Sequence, residues 1–154
     1  MTTTWPTAQR RTRTRYVNVD LDIYAVTPLD GLVQALGDEV IVLYVGGRRR
    51  KYEAHLELAW SDRHTSADDA ICALITLIRG LPRTTRTIWN LATRREFNIG
   101  IEAGLEPHGF ELRLQQRTLQ AIADQGGTVV ITVYAPEPRQ AVPATGLKKR
   151  SKRR

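Results

Sequence analysis

Asn18, Asp20 and Asp22 occupy alternate positions of VNVDLDI, residues 17 to 23, with Val17, Val19, Leu21 and Ile23 between them. In an extended chain this puts two carboxylates and an amide on one side and four aliphatic side chains on the other. Three chemistries are open to such a row. It can offer oxygen ligands to Mg²⁺ or Ca²⁺, meet a basic partner, or face water. The Asp-x-Asp pair comes without the glycine-bearing loop of an EF-hand, so metal binding by Asp20 and Asp22 is the weakest of the three. No metal or other cofactor is expected.

Nucleophilic chemistry finds little to work with. Cys72 lies inside ICALITLI at 71–78, where a small thiol packs as a core residue. There is no G-x-S-x-G elbow. His55, His64 and His108 lack H-x-x-x-H or Cys/His zinc spacing. No catalytic residue is assigned and no enzymatic activity is expected. GGRRRK at 46–51 is not a phosphate-binding loop, because G-x-x-x-x-G-K-[ST] is absent and no helix follows. It is expected to form a hairpin tip, where Arg48, Arg49, Arg50 and Lys51 promote solubility or touch phosphate.

The elements that must position these groups follow from periodicity and punctuation. A strand is predicted over 17–24. Thr27-Pro28 then opens a helix with Leu29, Leu32, Val33 and Leu36 as its stripe and Gly37 as its end. VIVLYV at 40–45 is apolar on both faces, which predicts a central strand, with a turn beginning at Gly46-Gly47. The next strand sets Tyr52, Ala54, Leu56 and Leu58 against Glu53, His55 and Glu57. Ser66 caps a second helix that carries Asp68 and Asp69 in its first turn and stops at Gly80 and Pro82. A third helix is predicted over 84–93, with Arg94-Arg95 suiting its C-terminus. Strands over 95–103 and 109–114 are expected to form a hairpin around Gly104, Pro107 and Gly109. A last helix over 116–125 leads through Gly126-Gly127 to a strand over 128–134. The segments 21–45 and 110–134 echo each other as candidate βαβ units. The predicted class is α+β: a single mixed sheet of about six strands, helices on one face, in a ferredoxin-like split βαβ arrangement.

If helices cover one face, the other collects what alternates outward. That set is Asn18, Asp20, Asp22, Glu53, His55, Glu57, Glu96, Asn98, Glu102, Glu111, Arg113, Thr132 and Tyr134, strongly acidic in sum. It is either a solvated sheet face or a docking surface for a basic protein. On the second reading Asp20, Asp22, Glu53, Glu57, Glu96 and Glu102 are the candidate contacts.

The overall charge of +7 conceals this. Arg10, Arg11, Arg13 and Arg15 lie in a Thr/Arg-rich arm. Lys148, Lys149, Arg150, Lys152, Arg153 and Arg154 end the chain, whereas all 16 acids lie between 16 and 147. Residues 1–15 and 136–154 are expected to be disordered tails around one domain at 16–135. Those tails, with the 46–51 tip, could bind nucleic-acid phosphates without reading sequence, touch an anionic membrane surface, or fold back over the acidic face. Only Trp5 interleaves the basic arms, so base stacking has little support. Trp60 and Trp89 are expected to pack. No apolar run is long enough to span a membrane and the N-terminus lacks a secretory h-region. With one cysteine, a cytoplasmic setting is expected.

VNVDLDI, LVQALG, NLATRREFNIGIEAG and LQAIADQGGTVVITVYAPE together resemble a loose group of small, uncharacterised bacterial α+β proteins, some of them similar to immunity proteins of polymorphic toxin systems. The resemblance covers roughly 17–136 and rests on apolar patterning. It implies a non-enzymatic, partner-binding role and carries over no site residues. The basic C-terminal tail departs from that pattern and leaves nucleic-acid association as the alternative.

Overall fold

The computed structural model describes residues 13–136. The two tails beyond them, with the disorder expected there, lie outside the described residues. The order is β1 (Arg15–Ala25), α1 (Asp30–Leu36), β2 (Val40–Arg48), β3 (Lys51–Leu58), α2 (Ala67–Arg79), α3 (Arg83–Leu91), β4 (Arg94–Glu102), α4 (Gln116–Asp124) and β5 (Thr128–Tyr134). The fold is α+β, with one mixed five-stranded sheet in the order β2-β3-β1-β4-β5. β1 is antiparallel to both β3 and β4, and β2 is antiparallel to β3. β5 runs parallel to β4, so α4 is the crossover of a βαβ unit.

Strand β1 is the middle strand of the sheet, and its aliphatic side lines the core. Val19, Leu21, Ile23 and Ala25 are buried, and so are Ala54, Leu56 and Leu58 of β3 and Phe97, Ile99 and Ile101 of β4. Helix α2 closes over them with Ala70, Ile71, Leu74, Ile75 and Ile78, an apolar stripe at helical spacing. Each of these large side chains contributes about 2 kcal/mol by leaving water. Ser66 caps α2 as its sequence predicts, its Oγ accepting from the Asp69 N–H at 3.1 Å. The buried Asp68 carboxylate accepts from the Gln115 N–H at 2.7 Å and so ties the entry of α4 to the start of α2. Trp89 of α3 is buried, and Arg95 donates to the Trp89 carbonyl at 2.6 and 2.9 Å and to the Asn90 carbonyl at 2.8 Å. That satisfies the open C-terminal carbonyls of α3. Burial there lowers the Arg95 pKa.

Several expectations need correction. Residues 110–115 form no strand, so the predicted hairpin of 95–103 with 109–114 is absent and the sheet has five strands rather than six. The echo of 110–134 with 21–45 fails with it, since the strand feeding α4 is β4. Thr27 does not cap α1; the helix starts at Asp30, without a side-chain cap bond, and ends at Gly37 with φ of 60°. β2 is an edge strand, not a central one. It runs on through Gly46-Gly47 to a turn at Arg49-Arg50, whose φ angles of 51° and 66° are those of a two-residue hairpin turn. At the other end, β1 reaches back into the segment expected to be a free arm. Arg15 opens the strand, and the Thr14 N–H donates to the Glu106 carbonyl at 2.7 Å.

Candidate functional site

Strand pairing sets the outward side chains in rows across the face that, among the described residues, no helix covers. One row runs Ile41, Glu57, Asp20, Asn98 and Val130; the next runs Tyr44, His55, Asp22, Glu96 and Thr128. Glu53, Tyr24 and Arg94 make a third. Glu102 lies opposite Arg15 and Tyr134 at the far end. Asp20, Asp22, Glu53, Glu57, Glu96 and Glu102 therefore share one surface. Glu111 and Arg113 do not join them: both are exposed in the irregular 110–115 segment, 3.5 Å from each other.

A hydrogen-bonded chain crosses four strands. The Thr132 hydroxyl donates to Asn98 Oδ1 at 2.7 Å, and Asn98 Nδ2 donates to Asp22 Oδ2 at 3.4 Å. His55 Nδ1 stands 2.7 Å from Asp22 Oδ1. A carboxylate only accepts, so this hydrogen bond requires a proton on Nδ1. Tyr24 and Tyr44 flank the imidazole, each with ring centroids 5.9 Å away. Asp22, though only 7 % exposed, is thus well partnered. The His–Asp pair orients a base, but the groups around it are Glu53 and two tyrosines, which supply no strong nucleophile.

The remaining carboxylates divide by partner. Glu96 pairs with Arg94 at 3.0 Å, while Arg94 also stacks 3.8 Å from the Tyr24 ring. Glu102 pairs with Arg15 at 2.6 Å. Asp20 and Glu57 lie directly opposite each other, an unfavourable position for like charges. Asn18 Nδ2 donates to Asp20 Oδ1 at 2.9 Å. Burial, then Glu57 and Asp22, raise the Asp20 pKa from 3.8 to about 6, with His55 acting in the opposite sense. The same field reaches Tyr16, pushed up to about 12 by burial and by Glu57, Asp20 and Asp69. Asn18 can lie flat over β4 because Gly100 has no side chain; a Cβ there would come 2.7 Å from Asn18 Oδ1.

Sequence reasoning missed the two counter-charges. Arg15 was assigned to the tail and Arg94 to the end of α3, yet each neutralises a carboxylate of the face. It also placed Val17 on one side of the strand with Val19, Leu21 and Ile23, whereas a bulge between Tyr16 and Val19 leaves Val17 exposed and packs Tyr16 against the core. The only cue was the aromatic at 16, one residue out of phase with the aliphatic alternation. Cys72 is half-buried, with Sγ 3.5 Å from Thr118 Oγ1. Trp60 is exposed, with the Arg63 guanidinium 4.7 Å over its ring. Among the described residues no three His, Cys, Asp or Glu side chains are grouped to hold a metal ion.

The alternative set is only partly visible. Arg48, Arg49 and Lys51 line an open concavity of about 580 Å³ with Tyr44 and Gly47. Lys148, Lys149, Arg150, Lys152, Arg153 and Arg154 lie outside the described residues. Among the described residues no helix is long and apolar enough to cross a membrane. No protein-family model, curated protein or solved structure matches this chain.

Proposed function

We propose that the chain is a non-enzymatic binding module that docks a basic protein on its open sheet face, in the manner of an immunity protein, in the cytoplasm of a bacterium. The observation that carries this reading is the Asp20–Glu57 pair, opposed across β1 and β3, near the middle of that face. A partner's Arg or Lys seated between the two carboxylates would relieve their repulsion and gain charge-assisted hydrogen bonds. Paired Arg94–Glu96 and Arg15–Glu102 then act as a rim that helps set register. The proposal extends to the finer description of the fold. The run from β1 to β4, ordered β2-β3-β1-β4, is a split βαβ arrangement of ferredoxin-like kind with α4 and β5 added at the β4 edge. Such a sheet keeps one face free for a partner.

The test is capture from a lysate of the native host with wild-type chain and with D20K/E57K, in low and in raised salt. The reading expects a basic protein retained by the wild type, weakened by salt and lost from the double variant. Circular dichroism should show the variant still folded. Equal retention by the variant would refute the reading. The tip concavity supports a second one, phosphate-backbone contact through Arg48, Arg49, Arg50 and Lys51 together with the basic tails. It expects RNA or DNA retention at low salt that disappears when those tip residues and the tails are removed.

A further inference from the structure

Strand β2 carries apolar side chains where a solvent-facing edge usually carries charge. Ile41, Val42, Leu43 and Tyr44 are 47, 44, 52 and 47 % exposed, and β2 ends the sheet. No charged residue occurs from Val40 through Gly47. Charge returns at the two ends with opposite sign: Asp38 and Glu39 precede the strand, and Arg48 to Lys51 follow it. Among the described residues none of these charges takes part in an ion pair.

We infer that β2 pairs antiparallel with β2 of a second copy of this chain about a two-fold axis, joining two five-stranded sheets into one. The charges select this orientation. With the axis between Leu43 and Tyr44, Glu39 of each copy lies opposite Arg48 of the other, whereas a parallel pairing would bring like ends together. The faces agree as well. Ile41 pairs with Glu57 and Tyr44 with His55, so both stand on the open face; Val42 and Val45 pair with Leu56 and Ala54 on the helix side. Leu43 is the inserted residue of a bulge between them. About the Leu43–Tyr44 bond the pattern is therefore a palindrome, with Ile41 meeting Gly46 and Val42 meeting Val45, each on a matching face. Without the bulge this register would set opposite faces together. The other edge offers no such selection: β5 exposes Ile131 and Val133, but the nearest charges in sequence, Asp124 before it and Glu137 after it, have the same sign.

Sedimentation velocity of the full chain at low ionic strength, over a range of protein concentrations, tests this. A monomer–dimer equilibrium is expected. E39K or R48E alone should weaken it about tenfold, since each reversal replaces two symmetry-related attractions by repulsions. The swap E39K/R48E should recover the wild-type constant to within about threefold. L43D, at an exposed position, should be monomeric with an unchanged circular dichroism spectrum. A chain that stays monomeric at every concentration overturns the inference, including the case in which hydrogen exchange finds β2 protected by the chain's own tail. A dimer indifferent to L43D and to both reversals overturns it too.

Discussion

Asp20 faces Glu57 across two strands with the Asn18 amide on its carboxylate, and its pKa is raised from 3.8 to about 6 by burial, Glu57 and Asp22. The folded chain therefore keeps this proton at a pH where the unfolded chain has released it. That preference stabilises the fold fully below the unfolded pKa of 3.8 and is lost as pH rises through about 6. D20N removes the ionised form. At neutral pH it should raise stability by about 1 kcal/mol, allowing for solvent screening at a half-exposed site. It should also flatten the acid limb of the stability–pH curve. Urea denaturation at acid and neutral pH measures both; a variant no more stable at neutral pH would mean that the pair does not repel. D20N should also weaken partner capture, although it relieves the free protein. At this scale the alternation in VNVDLDI revealed which groups share a face. It could not reveal which were compensated, because Arg15 and Arg94 come from segments that local pattern assigned elsewhere.

The elements were legible where a local device defines them. Ser66 before ADDAICALITLIR specifies α2 at both levels, cap and stripe, and S66A should lower stability by about 1 kcal/mol in thermal or urea unfolding. Periodicity failed where context decides. VIVLYV is apolar on both faces for reasons that sequence alone assigned to burial, yet it lies at the sheet edge, which makes the self-pairing of β2 the economical explanation. FELRL alternates like a strand but has no neighbour to pair with once β5 takes the parallel position beside β4. The β2–β3 turn was placed at the two glycines, whereas the strand passes through them. Gly47, at φ of 140°, has no room for a side chain: a Cβ would overlap the Lys51 carbonyl oxygen and the Tyr52 backbone. G47A should cost about 2 kcal/mol or more and speed hydrogen exchange in β2 and β3 before the rest of the sheet.

Over the whole molecule, charge and architecture work together. Among the described residues the helices pack on one side of the sheet, while Asp20, Asp22, Glu53, Glu57, Glu96 and Glu102 stand together on the other. Long-range attraction to a basic partner would then be followed by contact at the least compensated point, Asp20 and Glu57. Nuclear magnetic resonance titration of the isotope-labelled chain with the captured basic partner is the most direct test of this. Amide shifts are expected to concentrate on β1 and β3 around Asp20, Asp22, Glu53 and Glu57, fading toward the helices. Shifts confined to the 46–51 tip or to the helix side, with β1 silent, would contradict the account.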